Sequence, residues 1–221
     1  ALIVVSRKAG RALEEGQRRR RLDVIPFQSE YQYMATLHDE GPGRARTVYV
    51  KGAVEAVTAR CSAAMGPDGE VSELRASDIE RESETMARMG LRVLGFAKTV
   101  LPPERARIDH VDLAGSLTFL GLQGMIDPPR PEAVAAVAAS LRAGVSVKMI
   151  TGDHPLTAEA IADQVGLTRP YEGKTAPGGC VLTGRQLAGL ADAEMAAAAE
   201  DTAVFARVSP EQKLRLVEAL Q

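Results

Sequence analysis

Thr151 and Asp153, held two residues apart by Gly152, and Lys213 near the carboxyl end are the side chains best suited to carry chemistry here. A hydroxyl can donate one hydrogen bond to an anion, and an ammonium can offset its charge. Set side by side, the two suit a phosphoryl group. The elements around them are readable. Val145, Val147, Met149 and Ile150 make an apolar run of strand length, 145–150. Gly152 suits a sharp turn. Pro155 fits the first position of a helix, which makes His154 the expected N-cap. Ala158, Ile161, Ala162 and Val165 then follow at helical spacing through 155–165. Thr151-Gly152-Asp153 thus falls between a strand's carboxyl end and a helix N-terminus. In open α/β sheets that is where ligands collect and free N–H groups favour anions. An ordinary βα turn has the same local pattern. Lys213 lies in the first turn of a helix with a clear start: Ser209 to cap, Pro210 at N1, and Gln212 completing a capping box. If 203–206 is the parallel strand before it, Thr151 and Lys213 meet at one sheet edge. A solvated surface lysine is the other reading.

The elements further out divide the chain in two. The first half expects a helix over 1–16, a basic run Arg18 to Arg21 that reads as a solvated loop or a binding patch, and strands over 22–27, 33–38 and 47–51. The second and third of these strands read as a hairpin. A short helix over 52–61, a turn at Gly66-Pro67-Asp68-Gly69, a helix over 77–89 capped by Ser77, and a strand over 91–100 complete it. This is an α+β pattern with a mostly antiparallel sheet. The character changes after the Pro102-Pro103 loop and its charged neighbours, and a strand over 117–125 comes next. Asp127-Pro128-Pro129-Arg130-Pro131 is a stiff hinge, because each proline fixes φ and removes a donor. Helix 131–143, strand 145–150, helix 155–165, a loop over 171–179, helix 192–199, strand 203–206 and a last helix follow. Alternating strands and helices imply a parallel sheet. The expected domains are 1–126 and 127–221, α/β overall, with the hinge near 127–131.

Bulk properties exclude little beyond extremes. The 221 residues are 45% hydrophobic and 25% charged, as in ordinary globular proteins, and the net charge of −2 gives no argument for nucleic acid. Cys61 and Cys180 lack metal-like spacing and read as reduced and intracellular, and the three histidines are scattered. No apolar run approaches the ~20 residues that span a bilayer. Ala1 opens into a helical pattern with neither initiator methionine nor signal peptide, which reads as an excised, soluble piece of a longer chain.

Six segments, in order, resemble P-type cation-transporting ATPases. Ile25-Pro26-Phe27-Gln28-Ser29-Glu30 resembles the strand whose phenylalanine stacks on adenine, and Lys51-Gly52-Ala53-Val54-Glu55 the K-G-A-P-E motif, with valine at the usual proline. Gly90-Leu91-Arg92-Val93-Leu94 resembles the segment whose arginine reaches the nucleotide phosphates. Asp127-Pro128-Pro129-Arg130 matches the D-P-P-R hinge and Thr151-Gly152-Asp153 the T-G-D motif. Phe205 to Lys213 resembles the stretch before G-D-G-x-N-D. The resemblance implies a nucleotide-binding domain followed by part of a haloacid dehalogenase-like, Rossmann-like phosphorylation domain. It further implies ATP as ligand, and Mg²⁺ in the complete parent. Phe27, Lys51, Arg92, Asp127, Arg130, Gly152 and Arg207 would contact nucleotide, and Thr151, Asp153 and Lys213 would stabilise the phosphoryl group. The implied partners are the membrane helices and actuator domain of the same pump, at the cytoplasmic face of a membrane. Gln32 stands where a lysine is often found. The nucleophile motif D-K-T-G-T and the motif G-D-G-x-N-D, which supply the metal site, do not occur in these residues, so nucleotide binding without turnover is expected of them alone. A soluble haloacid dehalogenase-like phosphatase with a cap would explain Thr151 and Lys213, but not Phe27, Lys51 and Arg92 in that order. A stand-alone nucleotide-sensing module is the third reading.

Overall fold

A computed structural model describes residues 2–10, 19–168 and 181–220. Three expectations fall wholly or partly elsewhere: the rear of the 1–16 helix with Arg18, the 171–179 loop, and Cys180. The described chain forms two compact units. One comprises Ala1–Ser83 and Val93–Met125, the other Glu84–Arg92 and Ile126–Gln221.

The first unit is built on a seven-stranded mixed sheet in the order β1-β2-β3-β6-β7-β4-β5. Its strands are β1 (Arg21–Ile25), β2 (Tyr33–His38), β3 (Arg46–Gly52), β4 (Cys61–Met65), β5 (Val71–Glu73), β6 (Arg92–Leu101) and β7 (Leu117–Met125). The antiparallel hairpin of β2 and β3 is present, with Met34 opposite Lys51 and Leu37 opposite Val48. The sheet is mostly antiparallel, with β4 and β7 a parallel pair. Strand alternation sends Tyr33, Ala35, Leu37, Val48, Val50 and Ala97 to one face, where they form the core with Val57, Leu113, Leu117 and Phe119. Thr36, Tyr49 and Lys51 lie on the other face, only partly covered. Helices α1 (Leu2–Lys8), α2 (Val54–Thr58) and α3 (Ala76–Arg88) accompany the strands.

Two corrections follow. The turn at Gly66 joins β4 to β5, so a strand begins at Cys61, where the sequence suggested the end of a helix. Ser77 is not a cap, since α3 starts at Ala76 and the Arg75 carbonyl accepts from Asp78 and Ile79.

The second unit carries a three-stranded parallel sheet, β8 (Met149–Ile150), β10 (Val204–Ala206) and β9 (Val181–Thr183), in that order. Its helices are α4 (Pro131–Arg142), α5 (Pro155–Val165), α6 (Gly184–Ala188), α7 (Asp192–Asp201) and α8 (Pro210–Ala219). Alternation along the buried central strand splits its core. Val204 and Ala206 pack with Ala158, Ala162 and Leu167, while Phe205 packs with Leu187, Met195 and Leu216. The fold is therefore mixed α/β, an antiparallel-rich sheet followed by a small parallel one, as the sequence implied. Strand β8 is shorter than 145–150, because only Met149 and Ile150 pair with β10. The strand β9 and the helix α6 went unread.

Candidate functional site

In the first unit, Phe27 follows β1 on an irregular stretch and is 60% exposed, so it is not a core phenylalanine. Single exposed apolar side chains are common, and this one leaves a flat aromatic face at the surface. Lys51 sits one residue before the end of β3, between Met34 of β2 and Phe96 of β6.

Phe27 and Lys51 are linked through one corner. Gln28 accepts a backbone hydrogen bond from Gln32 at 2.8 Å, and the Gln32 carbonyl accepts from Ala53 at 2.9 Å. Gln32 has φ 59°, in the left-handed region that residues with a Cβ usually avoid. Directly beneath it lies Gly52, where an added Cβ would stand 2.4 Å from the Gln32 oxygen and 2.6 Å from the Tyr33 Cβ. The glycine after Lys51 is thus required by close backbone approach. An open cleft of about 540 Å³, lined by Ala64, Ser72, Glu73, Arg75, Asp78, Ile79 and Phe119, lies elsewhere on this unit. None of the expected residues lines it, so it does not bear on their role.

In the second unit, the Thr151 turn is held on all sides. Thr151 N donates to the Phe205 carbonyl at 2.8 Å, Val208 N donates to the Thr151 carbonyl at 3.2 Å, and Arg207 N to the Asp153 carbonyl at 3.3 Å. These bonds zip the turn to the carboxyl end of β10. The Thr151 hydroxyl donates to Asp153 Oδ2 at 3.0 Å and accepts from Asp153 N at 3.1 Å. Asp153 Oδ1 also meets Arg92 Nε at 3.4 Å, with Arg92 67% exposed. The chain just before Arg92 is tied down where the Thr157 hydroxyl donates to the Leu91 carbonyl at 2.9 Å. His154 caps α5 as expected, its Nδ1 accepting from Leu156 N at 3.3 Å.

Gly152 differs from its expected role. Its φ is not positive, and nothing lies within 4 Å of where its Cβ would be. The missing side chain leaves open space at the turn and is not needed to bend the backbone.

Lys213 is exposed in the first turn of α8, behind the Ser209 and Gln212 capping box. Backbone bonds reach this helix start from Thr151 through Val208. Arg207 takes φ 55°. Its carbonyl would stand 2.3 Å from a Cβ on Gly184, whose own carbonyl accepts from Gln212 Nε2 at 2.6 Å. Asp127 is exposed in the proline segment, and Arg130, also exposed, is the N-cap position of α4. The residues that sequence reasoning passed over are Gly184, which bears no motif, and His110, whose partners only the fold reveals.

Residues 1–132 match the family profile of the P-type ATPase cytoplasmic domain N. The chain belongs to the P-type ATPase family. Over its whole length it is 53% identical to the cation-transporting ATPase pma1 of Synechocystis and 46% identical to the probable cation-transporting ATPase F of Mycobacterium tuberculosis. It is 35% identical, again over its whole length, to the calcium-transporting ATPase 1 of Lactococcus lactis. It spans 24% of the length of each of these three relatives. Among the described residues, no helix is long and apolar enough to cross a membrane.

Proposed function

We propose that this P-type ATPase segment binds ATP for a cation pump that hydrolyses it through an aspartyl-phosphate intermediate. In this reading residues 1–126 are the nucleotide-binding domain and 127–221 part of the phosphorylation domain, with a hinge near 127–131. Phe27 takes adenine on its exposed face, and stacking of that kind contributes ~1–3 kcal/mol per base in nucleic-acid sites. Lys51 and Arg92 supply positive charge on the nucleotide side. Thr151, Gly152, Asp153 and Lys213 form the phosphoryl side, with Asp127, Arg130 and Arg207 in support. Phosphoryl transfer depends mainly on positioning and electrostatic stabilisation. The Thr151 turn suits that role because its polar groups are already oriented by the bonds around them. Open space at Gly152 leaves room for a phosphoryl oxygen to approach it.

Among the described residues no three His, Cys, Asp or Glu side chains gather. They offer no ready-made protein cage for Mg²⁺, an ion that one or two carboxylates together with the nucleotide's phosphates usually hold. In the parent the nucleophile and metal ligands would come from D-K-T-G-T and G-D-G-x-N-D segments. The rest of the pump, with its membrane helices and actuator domain, would couple the reaction to cation movement from the cytoplasmic face of the membrane.

The observation that carries this reading is the exposed Phe27 ring tied through the Gln32 corner to the Lys51 strand. It is tested by titrating ATP against the wild-type chain and Phe27→Ala. The expected result is weak binding by wild type and a loss of roughly five-fold or more in the variant, the scale of one stacked base. Equal affinities would remove Phe27 from the site. A robust metal-dependent ATPase activity or an acyl-phosphate in these 221 residues would overturn the expectation of binding without turnover.

A further inference from the structure

The corner that joins Phe27 to Lys51 rests on a cluster with no assigned purpose. Tyr33 is fully buried, and its hydroxyl bonds His110 Nδ1. Tyr31 lies over the same imidazole, with ring centroids 4.1 Å apart and planes 31° from parallel. On the Tyr33 ring, the Arg60 guanidinium stands 4.4 Å from the centroid.

His110 is itself immobilised. It opens a single 3₁₀ turn, His110–Leu113, closed by a reciprocal Asp109 and Asp112 capping box and anchored by fully buried Leu113. So the two residues that flank strained Gln32 are both held by one imidazole fixed to the core. A left-handed, non-glycine residue persists only where its surroundings over-determine it. Here those surroundings are the His110 cluster on one side and Gly52 beneath.

We propose that His110, acting through Tyr31 and Tyr33, is a positioning residue for nucleotide binding: it holds the Gln28–Gln32 turn so that Phe27 faces the ligand from a fixed place beside Lys51. The inference rests on the reading of Phe27 as the adenine platform. His110 does not touch the nucleotide. Its contribution is to remove the ordering cost that a loose turn would pay at binding.

The test is calorimetric titration of the 221-residue chain with ATP alone, alongside thermal unfolding of each variant. His110→Ala and Tyr33→Phe should each weaken ATP about five-fold, the scale of one net hydrogen bond. His110→Asn keeps a hydrogen-bonding group near Nδ1 for the Tyr33 hydroxyl but no ring against Tyr31, and should restore part of the affinity. In a Phe27→Ala background, His110→Ala should cause no further loss, because its effect passes through Phe27. Unchanged affinity in a cooperatively folded His110→Ala chain would overturn the inference. So would an equal loss with and without Phe27, which a purely structural role predicts. If Phe27→Ala weakens ATP while His110→Ala and Tyr33→Phe do not, only this inference falls. If wild type binds no ATP, the reading of the site falls and takes the inference with it.

Discussion

Both units turn a corner in the same way. Among the described residues, Gln32 and Arg207 are the two non-glycine residues with positive φ, at 59° and 55°. Each lays its carbonyl over a glycine that has no room for a Cβ, Gly52 at 2.4 Å and Gly184 at 2.3 Å. What differs is the support. The Gln32 corner adds rings and an imidazole to its two backbone bonds, and of the side chains beside it Phe27 is exposed and Lys51 partly so. The Arg207 corner is held by backbone bonds and by Gln212, and the turn it presents, Thr151 to Asp153, already has its polar groups engaged. The first arrangement suits a platform that waits for a flat ligand. The second suits a polar site whose groups need little reorganisation when charge develops.

The largest effects should come from filling the space under each corner. Gly184→Ala and Gly52→Ala put a methyl against backbone, and overpacking of this kind costs ~3 kcal/mol. Thermal unfolding followed in each unit should show a loss confined to the unit that carries the change. Gly152→Ala is the control, since nothing lies within 4 Å of its Cβ position. It should shift stability by less than ~0.5 kcal/mol. A large loss there would mean that Gly152 supports the fold instead of leaving room for a ligand.

Next in size is the polar support of the second corner. Gln212 Oε1 accepts from Ser209 N at 2.9 Å, and its Nε2 donates to the Gly184 carbonyl. Gln212→Ala removes both bonds and takes the side-chain donor from the Gly184 carbonyl. The expected cost is ~2 kcal/mol, read as a lower denaturant midpoint at unchanged slope. A cost below ~0.5 kcal/mol would show that backbone bonds alone hold the corner. By contrast Arg92→Ala should cost no more than ~1 kcal/mol, because its pair with Asp153 is open to solvent. A larger loss would make that pair structural, and would argue against a guanidinium that is available to nucleotide.

Legibility in the sequence follows the range of the interactions. The strand 117–125, the helix 155–165 with His154 as cap, and the Ser209–Gln212 box were readable because their signals lie within a few residues. Strand β5 was not, since Val71, Ser72 and Glu73 are all exposed and show no alternation. Strand β9 has three residues of intermediate burial and is defined by its neighbour β10. The site divides likewise. Thr151, Asp153 and Phe27 stand in recognisable motifs, whereas the corners do not. Neither glutamine nor arginine signals positive φ, and Gly52 and Gly184 gain their meaning from Gln32 and Arg207, far away in the chain. His110 was counted as one of three scattered histidines because its contact with Tyr33 spans 77 positions.

The smallest expected effect has the opposite sign and separates the corners most sharply. A left-handed residue with a Cβ costs ~1–2 kcal/mol, and asparagine tolerates that region better than glutamine does. Gln32→Asn should therefore stabilise the first unit, by ~0.5 kcal/mol, provided that the Gln32 side chain contributes nothing the fold needs. Arg207→Asn relieves the same backbone strain, but Arg207 is not without a partner in the folded chain, and asparagine removes its guanidinium. Its net change should be zero or a loss. Denaturant midpoints for the two variants decide the matter. A gain at 32 with none at 207 means that the first corner is held by its neighbours and the second partly by the arginine itself. Equal gains would make the two corners equivalent and leave Arg207 without a structural reason to be an arginine. A loss at Gln32 would show that its amide already has work in the folded chain before any nucleotide arrives.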